Sequence, residues 1–187
     1  MNRLRFTRVR DVEPLSRNNQ GDAGLDFYVP TNLTLEDLYK ANANAENIVF
    51  DNQVNGPGII SCKVNEKNFV SKILIGPHAR ILIPSGIKVL LEPKESMLMA
   101  ANKSGISTKK GLVYTAEIVD SPYTGEVHIG VTNTSPVSVE IEAGKKLVQF
   151  IHVPIYQSNP EEIDDKTYDT LAKDWGTRGA NGFGSGD

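Results

Sequence analysis

The sequence has one cysteine, one tryptophan, and no run of apolar residues approaching the length of a membrane span. A single Cys62 forbids an internal disulfide and fits a reducing compartment. The missing apolar run excludes a membrane-spanning helix. The basic N-terminus (Arg3, Arg5, Arg8, Arg10) is followed by no hydrophobic stretch, so it does not read as a secretory signal. An excess of positive charge is lacking too. The formal net charge of −3 argues against a general nucleic-acid or membrane-surface binder. It leaves room for a small anionic ligand held by a few local cations. His78, His128 and His152 are scattered, and no His, Cys or carboxylate set has metal-ligand spacing.

What is present suits one globular domain. A chain of 187 residues can bury a real core, and 39% hydrophobic with 23% charged residues is ordinary. Short apolar runs recur between Gly and Pro signals: 3–10, 23–29, 73–75, 81–83, 87–91, 96–101, 137–142 and 147–153. Gly76-Pro77 and Pro84-Ser85-Gly86 read as turns, and the whole as an antiparallel sandwich or barrel. Thr34-Leu-Glu-Asp37 opens a helix, with a Thr cap and acid in the first turn. Residues 36–72 read as a surface insertion, and 158–172 as an irregular linker with at most a turn or two of helix.

Residues 111–133 carry the first chemistry. Val113 to Val119 and Val127 to Val131 read as the arms of a hairpin around Ser121-Pro-Tyr-Thr-Gly125, a turn in which Pro fixes φ and Gly supplies φ > 0. Asp120 enters that turn with Tyr123 three residues on. A carboxylate and a ring at the mouth of a rigid turn can form a site; Asp capping its own turn is the competing reading. Lys103-Ser104-Gly105 combines a cation, a hydroxyl and a residue that admits close backbone approach, a phosphate-binding set or an ordinary turn. Gln149 is a polar residue among apolar ones and needs a partner. Phe183 stands alone among glycines near the C-terminus, as in a terminal lid or a disordered end.

Five segments in order carry a resemblance: Asp22-Ala-Gly-Leu-Asp26, Asn102-Lys-Ser-Gly-Ile-Ser107, Ile118-Val-Asp-Ser-Pro-Tyr-Thr-Gly125, Gly144-Lys-Lys-Leu-Val-Gln149 and Arg178-Gly-Ala-Asn-Gly-Phe-Gly-Ser185. Together they resemble the trimeric dUTP pyrophosphatase (dUTPase) family. The resemblance implies an all-β fold, a distorted jelly roll over 1–175 with short helical insertions, and a mobile C-terminal arm, 176–187, closing over the site. It implies hydrolysis of dUTP to dUMP and pyrophosphate, with Asp120 activating the water that attacks the α-phosphorus. Substrate would be held by Lys103, Ser104, Gly105, Ala116, Glu117, Tyr123, Gln149, Arg178, Phe183, Gly184 and Ser185. Mg²⁺ would ride mainly on the phosphates, with Asp26 beside it through water. A homotrimer with shared sites, no nucleic-acid or membrane partner, and a cytoplasmic location (host-cell cytoplasm for a viral chain) complete the expectation. The family often has Arg at Lys103, and Gly at Thr115 and Glu117, so phosphate geometry and uracil selection are where this chain departs.

Two rival readings are weighed. The related dCTP deaminases place a catalytic Glu five residues after the glycine matching Gly125; here that position is Gly130. A non-catalytic jelly-roll nucleotide sensor would bind deoxyuridine nucleotides without hydrolysing them.

Overall fold

A computed structural model describes residues 3–45 and 48–176. Among these, twelve strands form three four-stranded sheets. The first sheet runs in the order β1 (Arg3–Arg8), β6 (Arg80–Glu92), β10 (Glu126–Asn133), β8 (Leu112–Tyr114). The second runs β2 (Leu25–Tyr28), β12 (Lys146–Pro154), β7 (Ser96–Ala101), β9 (Ile118–Asp120). The third runs β11 (Val139–Glu142), β5 (Val70–Ile75), β4 (Ile59–Val64), β3 (Val49–Phe50). All pairings are antiparallel except β3 with β4. The all-β expectation holds. One apolar cluster fills the fold, with Phe27, Phe150, Leu38, Ile60, Ile73, Ile81 and Leu98 fully buried. Phe27 and Phe150 meet at 4.5 Å between ring centroids.

Where sequence and structure part, partner choice is the reason. Residues 113–131 are not one hairpin. β8 pairs with β10, but β9 pairs with β7 in another sheet, so the chain changes sheets across Thr115–Glu117. Pro84-Ser85-Gly86 is no turn: β6 runs through it as a single strand of 13 residues. The proline falls where the β6–β10 register shifts, between Glu126↔Lys88 and His128↔Pro84, so its missing N–H breaks no regular ladder.

Helix α1 (Leu35–Asn42) starts as its sequence dictates. The Thr34 hydroxyl accepts from the Asp37 N–H, and Asp37 reaches back to the Thr34 N–H. At its far end the buried Asn42 side chain donates to Leu82 O and accepts from Leu82 N, each at 2.9 Å, as a strand would. Leu38, Ile60 and Val70 join the core, so residues 36–72 reach deeper than a surface insertion. Lys103-Ser104-Gly105 is not a plain turn either. Helix α2 (Ser104–Lys110) begins there and ends on Gly111 at φ +70°.

The described residues divide into two compact units, one running to Ile155 and one starting at Tyr156. In that unit the expected linker contains α3 (Asp165–Trp175), capped by Asp164, which accepts from Thr167 N at 3.0 Å. Arg178, Phe183, Gly184 and Ser185 lie outside the described residues.

Candidate active site

Asp120 ends β9 opposite Met97 on β7. Its carbonyl accepts from Tyr123 N–H at 3.0 Å, closing the turn. Its carboxylate is exposed and makes no hydrogen bond or ion pair among the described residues, so capping is not what it does. The Tyr123 ring folds back over Gly125, where an added Cβ would lie 2.5 Å from the phenol oxygen. That oxygen donates to Glu126 O at 2.8 Å. The turn therefore holds an unengaged carboxylate beside a half-exposed, anchored ring.

The Thr115–Glu117 crossing supplies a second kind of group. Thr115 N–H donates to Gly130 O and Ala100 N–H donates to Glu117 O. The N–H and C=O of Ala116 between them have no backbone partner among the described residues. The crossing lies close over β10: a Cβ on Gly130 would stand 2.8 Å from Thr115 Oγ1 and 3.2 Å from Ala116 N. A side chain at 130, as a deaminase-type Glu would require, would crowd Thr115 and Ala116.

Cations gather elsewhere, around Asp26. This β2 carboxylate is 3% exposed and lies 2.5 Å from Lys103 Nζ and 2.7 Å from Lys146 Nζ. Burial pushes its pKa up, but the two ammonium groups outweigh that and hold it below the ordinary carboxylate value. Lys146 was not evident as a site residue from sequence; only its register beside Tyr28, on whose face it lies 5.6 Å from the centroid, brings it here. Gln149 is level with Asp26 on β2 and with Ala101 on β7, and donates to Asn102 O at 3.2 Å. It is half-exposed, so it is no buried core amide. Ser104 and Gly105 are exposed, and an added Cβ on Gly105 would meet nothing. Asp26, Lys103, Lys146 and Gln149 thus form one cluster with two cations against one anion.

The two groups do not meet within one chain. β12 pairs Gln149 with Ala101 and Val153 with Met97, and Met97 faces Asp120. Four residues of strand, about 13 Å, separate the level of the cation cluster from that of Asp120.

No three His, Cys, Asp or Glu side chains converge among the described residues. An ion carried by phosphates and its own waters needs no such cage. The donor chemistry fits that mode. Asp26 Oδ2 is buried against Lys146 Nζ at 2.7 Å, so Asp26 would meet a metal-bound water only once a lysine turned from it to the phosphates.

A family model described as dUTPase matches residues 69–186. The chain belongs to the dUTPase family. Among curated relatives, the deoxyuridine 5'-triphosphate nucleotidohydrolase of Clostridium novyi is 33% identical over 118 residues, which is 62% of this chain and 78% of that one. The dUTPase of Staphylococcus bacteriophage 80alpha, solved with dUpNHpp, is 17% identical and aligns over 100% of this chain and 99% of its own, at a TM-score of 0.67. A mutant dUTPase of S. aureus phage phi11, solved with a structural Mg(II) ion, is 16% identical with a TM-score of 0.60, over 88% of this chain and 98% of its own. The fold likeness, a jelly-roll-like arrangement of antiparallel sheets, thus extends to described residues before 69 that the family model leaves out.

Proposed function

We propose that this chain hydrolyses dUTP to dUMP and pyrophosphate. The observation that carries the reading is Asp120, an exposed carboxylate with no partner among the described residues at the turn that presents Tyr123, in a chain of the dUTPase family. Asp120 orients a water and takes its proton as the water attacks the α-phosphorus. The unpaired backbone edge at Ala116 and its neighbour Glu117 pairs with the uracil ring. The Tyr123 ring packs on the deoxyribose and leaves no room for a 2′-hydroxyl.

The phosphates belong to Lys103, Ser104, Gly105 and Gln149, with Arg178, Phe183, Gly184 and Ser185 of the C-terminal arm closing over substrate. Mg²⁺ on the phosphates neutralises developing charge when bound. Asp26 would hold one of its waters. The distance along β7 between Asp120 and Lys103 supports a homotrimer in which different copies complete each site. Net charge and the lone buried cysteine support a cytoplasmic role, or host cytoplasm for a viral chain, with no nucleic-acid or membrane partner.

The test is pyrophosphate release with Mg²⁺ from dUTP beside dTTP, dCTP and UTP. Release from dUTP alone is expected. Release from several nucleotides would reject the pocket while keeping the base. Release from none would leave a nucleotide-binding jelly roll.

A further inference from the structure

Glu126 follows Gly125 and is where the Tyr123 turn meets the rest of the fold. Its carboxylate accepts from Arg10 Nε at 2.8 Å and Nη2 at 3.2 Å, and from the Gly86 N–H at 2.7 Å. The third Arg10 nitrogen, Nη1, reaches Asp37 at 3.0 Å. Asp37 is the residue that closes the cap of α1. The side chains of Arg10, Glu126 and Asp37 are only 19%, 15% and 25% exposed. On the other side, the carbonyl of Glu126 accepts the Tyr123 hydroxyl and lies 2.9 Å from His128 Nδ1. One unbroken line of contacts therefore runs from the α1 cap, through Arg10 and Glu126, to Tyr123.

Glu126 is also where the ladder breaks off. It pairs with Lys88, but the β6–β10 register shifts between Glu126 and His128. The side-chain clamp bridges that break from both strands. Gly86 on β6 has φ +75°, and an added Cβ would lie 3.0 Å from Arg10 Cβ and 2.9 Å from Val12 Cγ1. The Arg10 stem thus packs on the bulged backbone while its guanidinium grips the carboxylate in a bidentate fork. The other end of α1 is tied to Leu82 by Asn42, so the helix cannot drift from β6 without breaking both anchors.

We infer that Arg10 is a positioning residue for the Tyr123 gate. Through Glu126 it fixes the carbonyl that anchors the Tyr123 hydroxyl, and so sets how strictly the site rejects a ribonucleotide. This rests on the reading of Tyr123 as the deoxyribose gate. Arg10 and Asp37 precede the stretch matched by the family model, so the control comes from this chain's own N-terminal third.

A double-mutant cycle on the intact protein tests it. Arg10→Met keeps the stem and removes the fork; Tyr123→Phe removes the anchored hydroxyl. kcat and KM for dUTP and UTP are measured for wild type, both single variants and the double, alongside thermal midpoints. We expect Arg10→Met to cut the dUTP-over-UTP preference about tenfold, and the double variant to lose no more than the worse single. A preference within twofold of wild type, with only a lower midpoint, would make the clamp merely structural and overturn the inference. So would losses that multiply in the double variant, because Arg10 would then act by another route. Equal wild-type rates on dUTP and UTP would refute the gate and this inference together, while dUTP hydrolysis itself stood. Should Arg10→Met not fold, Arg10→Lys keeps the charge and loses the fork, and is read by the same ratio.

Discussion

Gln149 stands where a side chain on Gly24 would have to be. A Cβ built on Gly24 falls 2.7 Å from Gln149 Oε1 and 2.8 Å from Gln149 Cβ, contacts that strand β12 cannot relieve by moving a side-chain tip alone. Gly24→Ala is therefore expected to push β12 from its place, lowering stability by about 1–3 kcal/mol as overpacking does. Pyrophosphate release should fall with it. Urea unfolding read beside dUTP turnover checks both.

Asp120→Asn is expected to bind a non-hydrolysable dUTP analogue with little change, because the carboxylate holds no other group among the described residues. Turnover should drop by roughly two to four decades, the scale of general base catalysis. Calorimetric binding with single-turnover pyrophosphate release separates the effects. Near wild-type turnover would sink the assignment.

Asp26 carries a pH prediction whose sign follows from its two lysines. Its folded pKa is held below the ordinary value, so its contribution is present above about pH 4 and is lost as pH falls through the folded pKa. Asp26→Asn should destabilise the protein at pH 7 by about 1.5–3 kcal/mol, the scale of hydrogen bonds to charged groups. The gap from wild type should shrink toward pH 3. Urea midpoints across that range measure it; a constant gap would mean that the ion pairs do not contribute.

Mixing tests site sharing. Asp120→Asn and Gln149→Ala chains, each nearly inactive alone, should regain activity after co-refolding, to about a quarter of wild type for random exchange between copies. Lack of any recovery would place both residues in sites formed by one chain.

Cys62 is buried, and burial pushes its thiol up to about 11. At pH 8 it should react with a thiol reagent at least about tenfold more slowly in the native protein than in urea, since the thiolate is the reactive form. Timed labelling followed by mass spectrometry checks this.

Features written locally were legible in the sequence. Thr34 and Asp37 announce the α1 cap because both partners lie within one turn of helix. The alternation of Val139 and Ile141 with Glu140 and Glu142 marks β11, and both apolar members are buried. Val137, in the same pattern, is 63% exposed because the strand begins after it. Partner choice was not legible. Nothing near Thr115–Glu117 says that β9 will leave β8 for β7. Arg10 read as one more arginine of a basic N-terminus, because Glu126 and Asp37, which give it meaning, are remote in sequence. Lys146 was hidden in the same way, within a segment quoted for its glutamine. Helix α3 did carry a local signal, in the Asp164 cap and the spacing of Tyr168, Leu171 and Trp175, which outweighs the reading of that stretch as a linker.

The strand that bears Asp26 has a consequence for how the protein is made. Beyond a single bridge from Asp26 to Ser16, the strand that pairs with β2 among the described residues is β12, with Leu25 opposite Phe150. A ribosome adding about 5–20 residues per second needs roughly 6–24 s to travel from one to the other. Until then Phe27 has no Phe150 to pack against, and the lysine at 146 that flanks Asp26 does not yet exist. Newly made N-terminal segments must wait for nearly the whole compact unit, so a nascent chain stalled before Lys146 should be open to protease at Phe27 and closed once Pro154 has emerged.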